Sequence, residues 1–313
     1  MTILLVKSGG EAALPDWQRH FAESAPDIEV HWWDDPAIQP EQVEYVLVWE
    51  PDHGRLAQMP NLRMVLSTAA GVDHITRDPA WPAHLPLVRM GGEETAQRMG
   101  EYVSLACLGL LRDVRRIMAS QVAEKWDYFE NPRCALDVRV GIMGMGNLGA
   151  RSAQMVAGLG FQVAGWSRSR KELPGIESFA GPEEFEAFLS RSDILVCLLP
   201  DTPDTRGAIR AETIALLPPG AGVVNAARGT HVVFDDLVAA LQIGHLSGAV
   251  LDVFTQEPLP PGHPAWSHPH ILVTSHLASL ATRSARVRYV ADAIRRHEAG
   301  EALPNLYDPI RGY

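Results

Sequence analysis

The sequence predicts an α/β protein with two domains, each built around a parallel sheet. Its 313 residues are enough for two domains, which commonly have roughly 100–200 residues each. Short apolar runs alternate with amphipathic stretches along most of the chain, as in repeated βα units. Several of these runs are apolar at nearly every position, which is typical of parallel strands that helices cover on both faces.

The N-terminal third predicts four strands, rich in Val, Ile and aromatic residues and separated by Pro, Asp and Gly. A helical pattern covers residues 17–24. A long helix is expected over residues 99–119, because its apolar residues recur at steps of three and four. The four predicted strands cover residues 3–6, 28–32, 45–49 and 64–67.

A second βα series starts at Val138. A strand over residues 138–143 precedes a glycine-rich loop and a helix that ends near Leu159. The last helix is expected over residues 279–299, followed by an irregular tail with two prolines. The other predicted strands cover residues 161–166, 194–199, 222–226, 248–253 and 271–274.

Composition limits the class of function. The chain has 27 Lys and Arg against 38 Asp and Glu, a formal net charge of −11, and an acidic protein repels a nucleic-acid backbone. Cys107, Cys134 and Cys197 are widely spaced, which indicates a reducing compartment without a disulfide framework. No apolar run is long enough to cross a membrane and no secretion signal is visible, so we expect a cytoplasmic protein.

A glycine-rich loop lies between the first strand and helix of the second series. Gly144 permits a tight turn, Gly146 lets the backbone approach a pyrophosphate, and Gly149 allows close packing of helix against strand. The N–H groups of Asn147 and Leu148 at the helix start favour an anion. The loop therefore predicts a dinucleotide-binding site, although an incidental glycine turn would have the same sequence pattern.

The residues after the next predicted strand bear on which dinucleotide binds. NAD-binding proteins commonly place an Asp or Glu about 20 residues after the glycine loop, where it binds the ribose hydroxyls. This chain has Ser167 and Arg168 there. Ser167 is neutral, and the Arg168 guanidinium can stack on adenine or bind phosphate. We therefore expect NADP(H) to be preferred, with NAD(H) as an alternative, although a solvated basic loop fits the same residues.

Four further features predict a site for a 2-keto acid. Arg228 follows a buried strand, and its planar fork matches a carboxylate and the adjacent carbonyl oxygen. Glu257 follows the strand that ends near Asp252, and His276 follows the next strand. In the N-terminal part, the N–H groups of a loop of small residues could hold a carboxylate. That loop contains Ala70, Gly71 and Val72.

These motifs, in this order over essentially the whole chain, resemble the D-2-hydroxyacid dehydrogenase family and, within it, the bacterial A-type glyoxylate/hydroxypyruvate reductases. The resemblance implies a catalytic triad of Arg228, Glu257 and His276, and it implies that Asp252 orients the nicotinamide carboxamide. It also implies two Rossmann-like domains and a homodimer to which the long inter-domain helix contributes. The substrate domain would be discontinuous, over residues 1–98 and 279–313, with the dinucleotide-binding domain inserted over residues 99–278.

Two positions depart from the pattern of this family. Ser275 stands before His276, where many relatives have Pro or Gly, and the N-terminal loop begins with two alanines, Ala69 and Ala70, where Gly-Ala is more usual. All of these residues are small. The departures bear on the shape of the two loops and hence on substrate choice.

The expected reaction is NADPH-dependent reduction of glyoxylate to glycolate or of hydroxypyruvate to D-glycerate. His276 would donate a proton to the developing alkoxide, Glu257 on the other ring nitrogen would favour the charged ring, and Arg228 would polarise the carbonyl. Ala70, Gly71 and Val72 would hold the carboxylate, and Trp49 would either line the pocket or pack in the core. The remaining expected cofactor contacts are Leu199, Pro200, Thr205, Ala226 and Ala227.

Other interpretations fit the same residues. Taken singly, Arg228 could lie at the surface, Glu257 in a simple turn and His276 in the core. The histidines between residues 263 and 276 lack the spacing of helical zinc motifs, and hydride transfer needs no metal, so we expect no metal site. The alternative functions are reduction of bulkier 2-keto acids such as phenylpyruvate, or dinucleotide sensing without catalysis on the same fold.

Overall fold

The structure, a computed structural model that describes residues 2–312, contains two β-sheets in which all strands pair in parallel. The predicted α/β class with two parallel sheets is confirmed. The chain divides into two compact units, each with one of the sheets. The first unit comprises the chain up to Thr95 and again from Ala281 onward, and the second comprises Ala96–Leu280.

The helices and strands follow one another in chain order. The first group is β1 (Thr2–Lys7), α1 (Leu14–Ser24), β2 (Ile28–Trp32), β3 (Tyr45–Val48), β4 (Met64–Ser67), α2 (Asp73–Thr76), β5 (Leu87–Val88), α3 (Glu93–Leu111) and α4 (Val114–Val122). The second group is β6 (Arg139–Met143), α5 (Asn147–Gly158), β7 (Gln162–Ser167), β8 (Glu177–Ala180), α6 (Phe185–Ser190), β9 (Ile194–Cys197), α7 (Ala211–Ala215), β10 (Ala221–Asn225), α8 (Phe234–Gln242), β11 (Leu246–Leu251), β12 (Ile271–Val273) and α9 (Arg283–Ala299).

The sheet of the first unit has the strand order β2-β1-β3-β4-β5, one of the common doubly wound orders. Helix α1 buries Trp17 and Phe21 in the same core cluster as Val287 and Val290 of α9. The C-terminal helix therefore completes the core of the first unit, although more than half of the chain separates it from β5 in sequence. Within residues 2–312, no helix has the length and apolar character needed to cross a bilayer.

The predicted single helix over residues 99–119 is wrong, because two helices occupy this region. Helix α3 begins earlier, at Glu93, and ends at Leu111. Asp113 then adopts a left-handed conformation (φ 49°), and its carboxylate accepts a hydrogen bond of 3.4 Å from the Arg116 N–H, which caps α4. The last helix also begins later than predicted, because Thr282 caps its first turn through a bond from the Ala285 N–H.

The sheet of the second unit has the order β12-β11-β10-β9-β6-β7-β8. From β8 to β11 this is the strand order of the dinucleotide-binding Rossmann fold. The order reverses between β6 and β9, and ligands of such sheets bind beyond the carboxyl ends of the strands at this point. The loops after β6, β9, β10, β11 and β12 are therefore where a site is expected, and these loops carry most of the residues singled out in the sequence.

Candidate active site

The glycine loop connects β6 to α5, and two of its glycines allow close approach of neighbouring backbone. Gly144 has a left-handed φ of 98°, and a Cβ there would lie 2.5 Å from the Leu198 carbonyl oxygen. A Cβ on Gly149 would lie 1.9 Å from the Gly144 oxygen. At Gly146, by contrast, a Cβ would meet no described atom within 4 Å. The loop is thus closely packed at Gly144 and Gly149 and open at Gly146, beside the N-terminus of a twelve-residue helix. This arrangement fits a dinucleotide pyrophosphate.

The side chain of Met145, the residue between the first two glycines, packs against the neighbouring strand β7. It is 6% exposed, and a Cβ on Gly165 of β7 would lie 2.4 Å from its Sδ. Gly165 therefore makes room for the side chain that anchors the glycine loop. This contact was not predicted from the sequence, although a glycine inside a strand often marks the close approach of another group.

The carboxyl end of β7 lacks the acidic residue typical of NAD-binding proteins. Ser167 lies there, and its hydroxyl donates a hydrogen bond of 2.8 Å to the Ser169 carbonyl. Arg170 pairs with Glu184 and donates to the Ser178 carbonyl, so it is engaged in the protein. Arg168 is exposed beside these residues. At the end of β7 the chain has the neutral Ser167, where a carboxylate would repel a phosphate on the adenosine ribose.

Arg228 lies in the loop after β10, and its backbone is fixed on both sides. The buried Asn225 amide donates to the Arg228 carbonyl at 2.8 Å and accepts from the Ala227 N–H at 3.2 Å. The Arg228 N–H donates to His231 Nδ1 at 3.1 Å, so this ring carries its proton on Nε2, 3.1 Å from the Pro200 carbonyl. Burial lowers the pKa of His231, which keeps the ring neutral. Neither support, from Asn225 or from His231, was predicted from the sequence.

Gly229 brings the loop after β10 against the loop after β11. A Cβ on Gly229 would lie 2.0 Å from the Phe254 carbonyl carbon and 2.2 Å from the Thr255 nitrogen, a clash with backbone that only glycine avoids. The Phe254 N–H in turn donates to Glu257 Oε1 at 2.8 Å. The position of Glu257 is therefore tied to the loop that carries Arg228.

Glu257 and His276 form a direct pair. His276 Nδ1 lies 2.7 Å from Glu257 Oε2, and each side chain is about one-third exposed. Burial raises the pKa of the Glu257 carboxyl, but hydrogen bonds from His276 and the Phe254 N–H, together with the charges of His276 and Arg228, hold it below its ordinary value. An ionised Glu257 can only accept, so the proton between the two groups belongs to Nδ1. Arg228 is close enough for its charge to act on this pair.

Asp252 holds the loop on which His276 lies. The Asp252 carbonyl accepts from the His276 N–H at 2.8 Å, and its carboxylate oxygens accept from Leu277 at 3.0 Å and Ala278 at 2.9 Å. The carboxylate also accepts from the Thr274 hydroxyl at 2.5 Å. His276 itself has a left-handed φ of 53°, which these bonds maintain. A contact of Asp252 with the nicotinamide carboxamide stays a prediction.

The remaining expected cofactor residues lie in the loops after β9 and β10. Leu199, Ala226 and Ala227 are buried, each less than 10% exposed. The Thr205 hydroxyl donates to the Pro200 carbonyl at 2.6 Å, which closes the turn after β9. These loops follow strands at the sheet centre, as does the glycine loop, whose Gly144 touches the backbone of Leu198. The described residues 2–312 contain no group of three or more His, Cys, Asp or Glu side chains placed to bind a metal.

In the first unit, the predicted substrate loop follows β4. Ser67 Oγ accepts from the Ala69 N–H at 3.0 Å and lies 3.2 Å from the Gly71 carbonyl, so one hydroxyl shapes the loop that contains Ala70, Gly71 and Val72. Ser67 Oγ also lies 3.3 Å from His74 Nε2. Trp49 follows β3, the neighbouring strand, and its ring lies 4.3 Å from that of His74, centroid to centroid. Trp49 is half-buried beside the loop, and His74 was not anticipated.

Comparison with known proteins identifies the family. Residues 105–278 match the family model described as D-isomer specific 2-hydroxyacid dehydrogenase, NAD binding domain. Glyoxylate/hydroxypyruvate reductase A of Serratia proteamaculans is 37% identical over 303 residues, covering 95% of this chain and 96% of the relative. The protein of the same description from Klebsiella pneumoniae is 39% identical over 304 residues, covering 96% of each.

Two solved structures agree along the whole chain. The D-isomer specific 2-hydroxyacid dehydrogenase of Xanthobacter autotrophicus, in complex with NADPH and MES, has a TM-score of 0.92 and 39% identity, covering 100% of this chain and 99% of that one. The NADPH-dependent glyoxylate/hydroxypyruvate reductase of Sinorhizobium meliloti, in complex with NADP and sulfate, has a TM-score of 0.90 and 37% identity over all of both chains. The resemblance that the sequence motifs indicated is confirmed, and the chain belongs to the D-isomer specific 2-hydroxyacid dehydrogenase family of oxidoreductases.

Proposed function

We propose that this protein reduces small 2-keto acids with NADPH, converting glyoxylate to glycolate and hydroxypyruvate to D-glycerate. The observation that carries the proposal is the 2.7 Å contact between His276 Nδ1 and Glu257 Oε2, within range of the Arg228 charge. An imidazole paired with a carboxylate and an arginine provides the acid and the anion-binding group that such a reduction needs. The names of the relatives in Serratia and Klebsiella support the choice of substrates.

The proton in this reaction comes from His276. The Glu257 carboxylate accepts from Nδ1 and stabilises the charged ring, which leaves Nε2 as the atom that donates to the substrate oxygen. The Arg228 guanidinium binds the substrate carboxylate and polarises the carbonyl as negative charge develops on its oxygen. A bound nicotinamide dinucleotide supplies the hydride.

The two parts of the chain have separate tasks in this proposal. Residues 99–278 bind the dinucleotide, which the family model over residues 105–278 and the open surface at Gly146 support. Residues 1–98 and 279–313 bind the substrate, with the N–H groups of Ala70, Gly71 and Val72 as donors to its carboxylate. The loop conformation that Ser67 maintains and the indole of Trp49 beside it support this assignment.

NADP(H) is the preferred cofactor in this proposal, with NAD(H) as a weaker alternative. Ser167 and Arg168 occupy the end of β7, where a carboxylate would repel the 2′-phosphate. Arg168 is exposed directly after β7, and its guanidinium is the candidate for the phosphate. The relatives from Xanthobacter and Sinorhizobium were solved with NADPH and NADP, in line with this preference.

The protein is proposed to be a cytoplasmic homodimer without nucleic-acid or membrane partners. Large apolar side chains project from α4 and the segment after it: Met118 is 45% exposed, Val122 87%, Trp126 95% and Tyr128 81%. A second copy of the chain would cover this surface, which is costly to leave in water. The three cysteines are widely spaced in the sequence, which favours a reducing compartment without a disulfide framework. Light scattering coupled to gel filtration, on wild type and Trp126→Glu, tests the dimer.

Steady-state assays with a panel of 2-keto acids test the proposed function. Glyoxylate, hydroxypyruvate, pyruvate and phenylpyruvate would each be tried with NADPH and with NADH. The highest kcat/KM is expected for glyoxylate or hydroxypyruvate with NADPH. A higher kcat/KM for phenylpyruvate would indicate that the protein reduces bulky 2-keto acids instead of small ones. Tight NADPH binding without turnover of any keto acid would indicate a dinucleotide sensor and would contradict the proposal.

A further inference from the structure

A hydroxyl on helix α3 reaches the loop that carries His276. Tyr102 is 7% exposed and lies in an apolar cluster with Met99, Val103 and Ala106. Its hydroxyl lies 2.7 Å from Thr274 Oγ1. Burying a tyrosine hydroxyl in an apolar core costs free energy unless it forms a hydrogen bond. The hydrogen bond with Thr274 removes this cost. No step of the proposed reaction uses Tyr102.

The direction of the hydrogen bonds follows from what each group can do. The Asp252 carboxylate is 2% exposed and already accepts two backbone N–H groups, so it is an acceptor. Thr274 has one hydroxyl proton, and it goes to Asp252 Oδ1 at 2.5 Å. The Thr274 oxygen must then accept the proton of Tyr102. Burial, with the Asp252 charge nearby, raises the pKa of Tyr102, which keeps it a donor.

This chain of bonds ends on the backbone around His276. The N–H groups of His276, Leu277 and Ala278 all donate to Asp252, the first to its carbonyl and the others to its carboxylate. Three successive amides are thereby fixed at a residue with left-handed φ, which an L-amino acid adopts only when its surroundings require it. The orientation of the imidazole toward Glu257 depends on this segment.

We propose that Tyr102 is a positioning residue for the His276 general acid, acting through Thr274 and Asp252 on the backbone of residues 276–278. The inference rests on the proposed function for its kinetic consequence, but its structural part is independent of turnover. Loss of the Tyr102 hydroxyl frees Thr274 to rotate away from Asp252 and loosens the loop. Small misplacement of a reacting group is costly in rate, so we expect kcat to fall about tenfold in Tyr102→Phe. The KM for NADPH should change less than kcat does, because the glycine loop and the end of β7 are untouched.

The test combines kinetics with a proton signal. In wild type with isotope-labelled histidine, the Nδ1 proton that His276 shares with Glu257 should give a low-field resonance, assigned by its loss in His276→Ala. In Tyr102→Phe this resonance should broaden by exchange or shift. Thr274→Val, which keeps the side-chain shape without the hydroxyl, should do the same, and Thr274→Ser should retain more activity than Thr274→Val. Tyr45→Phe, which removes a buried hydroxyl that contacts His297 in the first unit, is the matched control and should leave kcat unchanged.

The outcomes separate this proposal from the proposed function. The double variant Tyr102→Phe/Thr274→Val should lose no more than the larger single effect, because both changes break one chain of bonds. Additive losses, or a kcat of Tyr102→Phe within about twofold of wild type, would overturn the positioning role. If wild type turns over no 2-keto acid, the proposed function fails, and the resonance alone then decides whether Tyr102 positions His276.

Discussion

Replacement of Glu257 by Gln isolates the electrostatic part of the His276 pair. The amide is nearly isosteric, but it is neutral and has one oxygen instead of two. The native carboxylate accepts from His276 with one oxygen and from the Phe254 N–H, at 2.8 Å, with the other. Glutamine can therefore keep only one of these bonds, and it cannot stabilise a charged ring.

The magnitude follows from the separation and exposure of the pair. The charge of each group is spread over several atoms, and at about 4 Å two unit charges attract by about 1 kcal/mol in water and about 4 kcal/mol at an effective dielectric constant near 20. The two side chains are 34% and 33% exposed, between these limits. About 2 kcal/mol is a reasonable intermediate value, and it corresponds to a loss of about thirtyfold in kcat/KM.

The assay is kcat/KM for glyoxylate with NADPH across a range of pH. In wild type, kcat/KM should fall at low pH as Glu257 becomes protonated, and Glu257→Gln, which has no carboxylate at this position, should lack that fall. Because the pKa of Glu257 is lowered, its carboxylate stays ionised as pH decreases through the ordinary carboxyl range. Wild type therefore keeps the ion pair of Glu257 with His276 until pH falls through the lowered pKa of Glu257. Glu212→Gln removes an exposed carboxylate in the same unit and serves as the control. A variant Glu257→Gln with wild-type kcat/KM and an unchanged pH profile would show that the Glu257 charge does not act on His276.

Three further substitutions test the other parts of the site. Arg228→Ala should raise KM for the keto acid strongly, with a smaller loss of kcat; a change in cofactor affinity alone would show that Arg228 does not bind substrate. Arg168→Ala should weaken NADPH binding about tenfold more than NADH binding, measured by fluorescence titration, and equal losses would indicate stacking on adenine instead. Gly165→Ala should displace Met145 and weaken both dinucleotides about tenfold or more without changing KM for the keto acid at saturating cofactor; unchanged binding would show that the loop does not depend on this contact.

The sequence predicts the buried strands well, because strands covered on both faces are apolar at nearly every position. The prediction for residues 138–143 differs by one residue from β6, which is Arg139–Met143. Prediction from sequence fails where an element is short or where backbone geometry interrupts the apolar pattern. Strand β5 has two residues, and the break between α3 and α4 depends on the left-handed conformation of Asp113, which apolar periodicity does not reveal.

The same division holds for the site. Residues directly after strands can be identified from sequence, because the carboxyl ends of parallel strands share one edge of the sheet. Arg228 is such a residue. The residues that support the site cannot be identified in this way, because the bond from Asn225 to Arg228 depends on the turn that the loop makes, and the bond of Thr274 with Tyr102 joins residues 172 positions apart. Such partners are determined by packing of the whole unit, and no local motif marks them.

Single-turnover reduction of glyoxylate shows whether His276 supplies the proton in a reduction by NADPH. Wild type and His276→Ala, each saturated with NADPH, would be mixed with substrate and followed by the absorbance of the reduced nicotinamide. The rate in His276→Ala should be lower by about a hundredfold or more, with NADPH affinity unchanged. Equal single-turnover rates in the two proteins would show that His276 does not supply the proton.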